Sequence, residues 1–535
     1  MKPLFLLLFG GALASNGIFT DVTQQAGIAW KRSNGESSDA RLIETKGGGA
    51  AFLDFDQDGL QDILLVNGAG APNALYHNLG NGKFEDVAEK AGVAHVPFYA
   101  LGVAAGDFDN DGFPDLLITG YSESTLFHNN GDGTFTDVTR KAGLKQSGKW
   151  STSAAWFDYD RDGYLDLIIC QYAQIREIAP HCELKGSPTY CEPKAYGDGD
   201  RLALYHNNGN GTFADASVAS GINKDVGRGL GVVAVDINDD GWPDLYIARD
   251  GSRNLLLVNQ KNGAFQDFAL EAEVAYDANG RAKAGMGIDA ADADGDGRPD
   301  FIMTAFEIEH HSLFLNPGSF PFRDWTAPSG VARATAPYVG WGVNFLDYDN
   351  DGAMDLMIVS GHVNKIVETT RVNVTYQEPP LLLRNDGKGV FGDMRETAGP
   401  VFRTRYSARG LAVGDYDNDG GVDAIFVCLQ GAPVLLHNNV GKDNAWVGIQ
   451  LVGTRSNRDA IGAKLTVEMG RRKLVRWING GGSVFSSGDH RVVFGLGPRP
   501  GPSTVSVDIR WPNGEAQTVT GLAPNKYHRI VERAR

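Results

Sequence analysis

A stretch of nine residues recurs along this chain, and its clearest copy is Asp107-Phe108-Asp109-Asn110-Asp111-Gly112-Phe113-Pro114-Asp115. Carboxylates stand at positions 1, 3, 5 and 9, a glycine stands at position 6, and position 7 offers a backbone carbonyl. Ca²⁺ takes about 6–8 oxygen ligands of this kind, and glycine permits the sharp turn that points alternate carboxylates at one centre. Apolar, β-rich residues flank the stretch at 103–105 and 116–118. The stretch therefore predicts a metal-binding turn between two strands.

Seven copies of this pattern are present, and we number them loops 1 to 7 in chain order. A single copy would be as typical of an ordinary solvated turn, but seven copies favour calcium loops. Only loop 4 departs from the pattern, with Asn238 at position 3, where an amide oxygen can still bind Ca²⁺. The predicted ligands of up to seven Ca²⁺ ions stand at positions 1, 3, 5, 7 (through the backbone carbonyl) and 9. They are Asp54, Asp56, Asp58, Leu60, Asp62; Asp107, Asp109, Asp111, Phe113, Asp115; Asp158, Asp160, Asp162, Tyr164, Asp166; Asp236, Asn238, Asp240, Trp242, Asp244; Asp292, Asp294, Asp296, Arg298, Asp300; Asp347, Asp349, Asp351, Ala353, Asp355; and Asp415, Asp417, Asp419, Gly421, Asp423.

A second motif follows the calcium loops, with clear copies beginning at Leu75, Leu126 and Leu204. Each copy has a short apolar run, an Asn/Gly turn and a run that opens on Phe, which is typical of a β-hairpin. One repeat unit is therefore four strands, and the loops start 53, 51, 78, 56, 55 and 68 residues apart. Four-stranded units at this period indicate the blades of a β-propeller. We predict an all-β fold with seven blades.

The ends of the repeat array predict how the propeller closes. The seventh unit has a third strand at 435–439 but no Phe-opened strand after it, whereas residues 18–27 carry that missing pattern. The first strand should therefore complete the last blade and remove the open edges. The two long spacings place insertions at 171–201 and 361–380, on the face opposite the calcium turns.

The charge of the chain is −17, but its distribution is uneven. Residues 441–535 carry 15 Lys and Arg against 7 Asp and Glu, and the preceding part is strongly acidic because the loops alone hold 27 carboxylates. Phosphate binding needs a basic stripe, so nucleic acid is not an expected partner of the acidic part. We expect the basic C-terminal segment, a small β-sandwich or barrel, to dock on the acidic propeller.

The N-terminus predicts export. Lys2, an apolar run over 4–13 and Ala12-Leu13-Ala14 are typical of a secretory signal peptide, which we place at residues 1–14. No later segment is apolar for long enough to span a membrane. We expect a secreted or periplasmic protein. In such an oxidising compartment Cys182 and Cys191 can pair, whereas Cys170 and Cys428 end apolar strands and are expected to be buried.

The repeats resemble FG-GAP (VCBS-type) repeats, the blades of integrin α-subunit propellers, over about residues 18–440. The C-terminal stretch resembles the ASPIC/UnbV domain in Asn444-Ala445-Trp446, the run Gly453 to Ala463, Gly481-Gly482-Ser483, Phe494-Gly495-Leu496-Gly497 and Trp511-Pro512-Asn513-Gly514. This order of domains is similar to that of the secreted cartilage acidic protein family and its bacterial relatives. The resemblance implies a secreted calcium-binding interaction protein and no known reaction. We predict a propeller over 15–440, an ASPIC/UnbV-like domain over 441–535, and a monomer that binds a protein or a carbohydrate in interaction or adhesion.

An enzyme remains the alternative hypothesis. His77, His128, His206 and His437 recur at one place in the repeat and are expected to close the Asn/Gly turn. The histidines that do not repeat lie instead in connections predicted on the face opposite the loops, near Glu177, Glu183, Glu307 and Glu309; they are His181, His310, His311 and His362. Imidazoles beside carboxylates could bind Zn²⁺ or Cu²⁺ or serve as acid and base in a hydrolase or lyase. Scattered polar loop residues are the other interpretation of this set. The run 471–473 with Arg476 has two interpretations as well, a site for an anionic glycan or phosphate and an ordinary solvated face, and Gly480-Gly481-Gly482-Ser483 is expected to form a turn.

Overall fold

The computed structural model describes residues 17–145, 147–175, 180–184, 186–470 and 472–534. The predicted signal peptide at 1–14 and Glu177 lie outside the described residues. The fold is all-β, as predicted, with only short helices between the strands. These helices are α1 (Ala88–Ala91), α2 (Val331–Thr335), α3 (Val367–Thr370) and α4 (Arg395–Ala398), with 3₁₀ turns at Leu42–Thr45, Pro193–Tyr196, Pro400–Arg403 and Gly441–Asp443.

Seven antiparallel units of four strands follow one another in the described part of the chain. Strand β1 (Phe19–Asp21) comes first in the chain but belongs to unit 7. Unit 1 has β2 (Ala50–Leu53), β3 (Asp62–Leu65), β4 (Ala74–Asn78) and β5 (Phe84–Asp86); unit 2 has β6 (Tyr99–Gly106), β7 (Asp115–Ser122), β8 (Ser124–Asn129) and β9 (Phe135–Asp137). Unit 3 has β10 (Lys149–Phe157), β11 (Asp166–Gln171), an inserted hairpin of β12 (Cys182–Leu184) and β13 (Ser187–Thr189), β14 (Ala203–Asn207) and β15 (Phe213–Asp215); unit 4 has β16 (Gly229–Val235), β17 (Asp244–Arg249), β18 (Leu255–Asn259) and β19 (Phe265–Asp267). Unit 5 has β20 (Ile288–Ala291), β21 (Asp300–Met303), β22 (Ser312–Leu315) and β23 (Arg323–Asp324); unit 6 has β24 (Gly340–Leu346), β25 (Asp355–Ser360), β26 (Leu381–Asn385) and β27 (Phe391–Asp393); unit 7 has β28 (Ala408–Gly414), β29 (Asp423–Cys428) and β30 (Val434–Asn438).

The N-terminal strand completes unit 7, as the missing Phe-opened strand predicted. Phe19 of β1 lies opposite Asn438 of β30 in an antiparallel pair. The first strands of consecutive units contact one another, and β28 of unit 7 contacts β2 of unit 1. The units therefore follow a closed order, and apolar residues from adjacent units fill the space between their sheets.

The C-terminal part of the chain forms two further sheets. The first contains β31, β35 and β38, and the second contains β32, β33, β36 and β37, while β34 lies apart from both. Their bounds are β31 (Asn444–Val452), β32 (Lys464–Met469), β33 (Arg472–Trp477), β34 (Gly480–Gly481), β35 (Val492–Pro498), β36 (Val505–Arg510), β37 (Ala516–Leu522) and β38 (Tyr527–Val531). These sheets pack their apolar faces into one core with residues of units 2 and 3.

Residues 480–489, which we call the plug, enter the centre of the repeat array. Strand β34 pairs with β16 of unit 4, so the expectation of a simple turn at 480–483 is wrong. Backbone bridges join the plug to units 1 and 5, hydrogen bonds join it to units 2, 3 and 7, and Phe485 stacks on Trp341 of unit 6 at 6.3 Å between ring centroids. The plug thus touches all seven units. Ser483 and Phe485 adopt φ of 57° and 62°, a conformation that bulky residues take only when surrounding contacts impose it.

The opposite end of the array is covered by the two inserts and by residues 30–48, which together we call the cap. Asn364 of one insert donates to Thr189 Oγ1 of the other at 2.8 Å, and Leu42 N–H donates to the Tyr196 hydroxyl at 3.2 Å. Cys182 and Cys191 form a disulfide inside the first insert, and Cys170 and Cys428 are buried, as expected. In the part of the chain that the structure describes, no helix combines the length and apolar character needed to cross a bilayer.

Candidate metal-binding site

The seven loops share one backbone conformation. In loop 2, Asn110 at position 4 and Gly112 at position 6 have φ of 62° and 100°, and the corresponding positions of the other loops are also left-handed. This double left-handed bend brings the N–H of position 6 to the second carboxylate oxygen of position 1, at 2.7–3.0 Å in all seven loops. Glycine suits position 6 because a side chain there would be strained. The bend therefore fixes the first carboxylate of each loop.

The last carboxylate of each loop is held from two sides. Its Oδ2 accepts the N–H of position 2 at 2.8–3.3 Å. Its Oδ1 accepts the N–H of the asparagine that ends the third strand, at 2.7–2.8 Å. These carboxylates are almost completely buried, with at most 1% of the residue exposed. Each loop therefore contains one carboxylate that is almost completely buried and is held in place by two hydrogen bonds.

The same asparagines join each loop to the loop of the preceding unit. Their Nδ2 groups donate at 2.7–2.8 Å to the carbonyl at position 2 of that loop. Asn78 of unit 1 donates to Tyr416 of loop 7, so the series returns to its start. The asparagines are Asn78, Asn129, Asn207, Asn259, Asn316, Asn385 and Asn438. The sequence interpretation missed this role, although the invariant Asn after the histidine position was a signal for it.

Burial and mutual repulsion raise the pKa values of loop carboxylates in the absence of a bound cation. Burial raises the pKa of Asp62 to about 8 and that of Asp166 to about 7. The pKa of Asp107 rises to about 9 because burial is reinforced by the nearby charges of Asp459 and Asp115. A bound cation would relieve both costs.

The donor set fits a hard divalent cation. Carboxylate oxygens of Asp54, Asp56 and Asp62 lie within 4.8 Å of one another in loop 1. At position 3, the Oδ1 atoms of Asp109 and Asp160 are buried without a hydrogen-bond partner. Unpaired buried oxygens beside other carboxylates are the arrangement that Ca²⁺ satisfies. The acidic clusters that the sequence predicted are therefore brought together and could hold metal ions.

The repeated histidines contact the loops themselves. In loop 2, His128 Nδ1 lies 3.3 Å from Asp109 Oδ2 and 3.2 Å from Asp115 Oδ1. His77, His206 and His437 make the corresponding contacts at 3.3–3.4, 3.2–3.4 and 3.4 Å. Their predicted role was to close the Asn/Gly turn, but the structure places each imidazole against positions 3 and 9 of its loop. The hydrogen bond to Asp166 raises the pKa of His206 to about 9.

Loops 4, 5 and 6 lack this histidine and carry a basic side chain instead. Lys261 Nζ lies 3.2 Å from Asp240 of loop 4, and Arg298 contacts Asp296 of loop 5. In loop 6, Arg384 stands where the other units have histidine and reaches Asp349 at 2.9 Å and Asp351 at 2.7 Å. The seven loops thus share one backbone conformation but differ in the basic side chain, histidine, lysine or arginine, that contacts their carboxylates.

The C-terminal part docks on the loop face, as its opposite charge predicted. Arg510 Nη2 lies 2.6 Å from Asp236 of loop 4, and Arg476 Nη2 lies 3.6 Å from Asp347 of loop 6. The Tyr527 hydroxyl donates to Asp415 Oδ2 of loop 7 at 2.8 Å. Asp107 N–H of loop 2 also donates to Asp459 Oδ2 at 2.7 Å, so the C-terminal part contacts position 1 of loops 2, 4, 6 and 7.

The histidines proposed for an enzyme site have separate surroundings. His181 is exposed and lies 3.4 Å from Glu183, and His310 is also exposed. His311 is fully buried, which lowers its pKa to about 3, and its Nδ1 accepts the N–H of Ala305 at 3.2 Å. His362 is buried and faces Glu307 at 3.6 Å.

Buried side chains of the cap, the plug and several units pack together in the centre beneath the cap. Lys46 lies over the Tyr172 ring at 4.2 Å, and Arg409 lies over the Trp341 ring at 4.2 Å. Burial lowers the pKa of Lys46 to about 8. Lys46 of the cap also lies 5.3 Å from the centroid of the Trp341 ring, on which Phe485 of the plug stacks, so the cap and the plug meet at Trp341.

Comparison with known proteins agrees with the repeat pattern. The model of the FG-GAP-like repeat matches residues 54–118, 107–169, 195–247 and 236–303, and the model described as ASPIC and UnbV matches residues 453–535. Cartilage acidic protein 1 of Mus musculus is 24% identical over 96% of this chain and 77% of that protein, and the Xenopus tropicalis protein is 24% identical over 95% and 76%. A solved lectin of Agrocybe aegerita is 18% identical and covers 72% of this chain and 86% of its own, with a TM-score of 0.42. The chain therefore contains FG-GAP-like repeats within residues 54–303 and an ASPIC and UnbV domain over residues 453–535.

Proposed function

We propose that this chain is a secreted or periplasmic calcium-binding β-propeller protein that serves as an interaction module for a protein or a carbohydrate. The seven units would be seven blades of one propeller over residues 15–440, and residues 441–535 would be a second domain docked on its calcium face. The observation that carries the proposal is the ring of seven loops, each with buried carboxylates and each joined to its neighbour by an asparagine.

Calcium has a structural role in this proposal. The predicted ligands are those named for loops 1 to 7, and Ca²⁺ would neutralise carboxylates that otherwise repel one another across a few ångströms. Because each loop is hydrogen-bonded to the preceding unit, a bound ion stiffens the contact between two units as well as its own turn. The result is a rigid platform on which surface loops can bind a partner.

The remaining expectations follow from the same proposal. Export would follow from the signal peptide proposed at 1–14, and weak extracellular calcium sites fill at the millimolar concentrations outside cells. We propose a monomer, since the N-terminal strand would satisfy the edge that an open array would leave.

The proposal is tested by thermal melting with and without metal. A ligand that binds only the folded state stabilises it by mass action, so chelation should lower the melting temperature and added Ca²⁺ should restore it. Substituting Asp62 and Asp166 with Asn should shrink the calcium-dependent shift. An Asp132→Asn variant, which changes an exposed carboxylate outside the loops, is the matched control. A melting temperature that ignores both chelator and calcium would overturn the proposal.

A further inference from the structure

A cavity of about 890 Å³ lies between loops 5 and 6 and the second C-terminal sheet. Its floor is formed by the two loops and by the turn at 386–388, and its wall is formed by residues of β32 and β33. This volume is within the range of about 300–1,000 Å³ that is usual for small-molecule sites, which often lie at domain interfaces.

The lining carries charges of both signs, and all the basic side chains except Lys388 lie on the wall. The floor contributes Asp292, Asp294, Asp296, Asp351 and Asp386. Five basic side chains line the same cavity: Lys388, Lys464, Arg472, Lys473 and Arg476. The lining has five carboxylates and five basic side chains, and Ca²⁺ bound in loops 5 and 6 would add four positive charges beside the cavity.

The basic side chains differ in how far they are already engaged. Arg476 is 6% exposed, faces Asp347 at 3.6 Å and has an Nε without a hydrogen-bond partner. Lys473 is paired with Glu468 at 3.2 Å, but both side chains are more than 60% exposed, and such surface pairs contribute little. Among the described residues, Lys388 and Arg472 have no carboxylate partner. Arg472 Nη1 donates to the carbonyl of Asp351 at 3.2 Å, a bond that leaves the charge of Arg472 uncompensated. Three exposed cations, Lys388, Arg472 and Lys473, can thus pair with an anionic ligand.

We propose that this cavity binds an acidic oligosaccharide in a calcium-dependent manner. The inference rests on the proposed function, because it needs Ca²⁺ in loops 5 and 6. Each loop offers ligands at five positions, whereas Ca²⁺ takes about 6–8 oxygens, so hydroxyl or acidic oxygens of a sugar can complete the shell. The acidic groups of the same sugar would pair with Arg472, Lys473 and Lys388.

The lining favours an acidic sugar over a peptide. Among the described residues that line the cavity there is no aromatic side chain, and the apolar ones are Ala293, Ala353, Leu474 and Val475. Peptide and protein partners depend on aromatic or aliphatic anchors that enter apolar pockets. Recognition here would depend on charge, so the affinity should fall as salt increases.

The test is calorimetric titration of the full-length protein, whose calcium content is measured on the same samples. The probes are a hexagalacturonate, a heparin-derived hexasaccharide, neutral maltohexaose and hexaaspartate. In calcium buffer at least one acidic sugar should bind and maltohexaose should not. Because heparin carries sulfates as well as carboxylates, comparison of the two acidic sugars shows whether sulfate groups add to the affinity. Dialysis to remove metal should weaken binding by about tenfold or more, the effect of losing one or two charged contacts.

Two double variants with the same change in net charge complete the test. R472A/K473A should weaken binding about tenfold without changing the calcium content or the melting temperature. K90A/K141A removes two exposed lysines outside the cavity and should leave affinity within about twofold. The inference is overturned if calcium-loaded protein binds neither acidic sugar, if both variants lose affinity equally, or if hexaaspartate binds more tightly. Protein that takes up no calcium at all would instead mark the failure of the proposed function.

Discussion

Substitution of Phe485 by alanine tests whether the plug is part of the core of the repeat array. The Phe485 side chain is fully buried and packs against Trp341. Its backbone N–H donates to Ser153 Oγ at 2.8 Å, and its carbonyl accepts the N–H of Val103 at 2.9 Å. These backbone bonds do not depend on the side chain, so the substitution removes packing alone.

The expected cost follows from the buried area. A buried phenylalanine contributes about 150–250 Å² of surface, and removal of most of that surface costs about 3–5 kcal/mol once the cavity left behind is included. The left-handed φ of 62° remains unfavourable for alanine, so no relief of strain offsets the loss. Phe485→Leu keeps most of the volume and should cost less than about 1.5 kcal/mol.

Urea denaturation followed by tryptophan fluorescence measures this difference, because Trp341 lies beside the altered residue. Phe320→Ala is the control, since Phe320 is 37% exposed. Phe485→Ala should lower the urea midpoint clearly, and Phe485→Leu and Phe320→Ala should lower it much less. If Phe485→Ala and Phe320→Ala lower the midpoint equally, the plug is not part of the core and the reasoning fails.

Three further predictions concern the loops. Asn129→Asp replaces the amide that joins loop 2 to loop 1 by a buried anion that faces carbonyl oxygens. It should lower the free energy of unfolding, measured by thermal melting, by about 3 kcal/mol or more. Asn81→Asp changes an exposed residue and should be nearly neutral, so equal effects of the two variants would contradict the role of the asparagines. Because the folded pKa values of Asp62 and Asp107 are about 8 and 9, above an unfolded value of about 3.9, the metal-free folded state binds more protons than the unfolded state between about pH 4 and 9. Its melting temperature should therefore fall as pH rises through this range, and the stabilisation by calcium should grow; a melting temperature that rises with pH would refute this sign. Arg384→Gln removes a cation from two carboxylates of loop 6 and should tighten one calcium site in a titration, whereas unchanged or weaker binding would show that the guanidinium does not compete.

Local patterns explain why the units and loops could be predicted. The nine-residue loops and the Asn/Gly turns depend on short-range bends, and their repetition showed which residues belong to turns and which to strands. The pairing of β1 with β30 was also predictable, because the missing strand of the last unit had a recognisable copy at the N-terminus.

Long-range contacts explain what the sequence did not predict. Gly480 to Ser483 has the composition of a turn, and nothing nearby in the chain indicates that it pairs with β16 about 250 residues away. The exchange of histidine for Arg384 in unit 6 was visible in the sequence, but its meaning depended on knowing that the side chain at this place contacts the carboxylates of the loop. The division of charge in the cavity likewise arises only when β33 is placed over loops 5 and 6.

The number of calcium ions bound per chain tests the central claim most directly. Mature protein purified without a metal-affinity tag would be dialysed to equilibrium against millimolar Ca²⁺, and plasma mass spectrometry would measure the calcium in the protein compartment in excess of that in the dialysate. The account predicts up to seven calcium ions per chain, with loss of ions when loop carboxylates such as Asp62 are replaced by Asn. Protein that is folded yet retains no calcium at millimolar concentration would contradict the account.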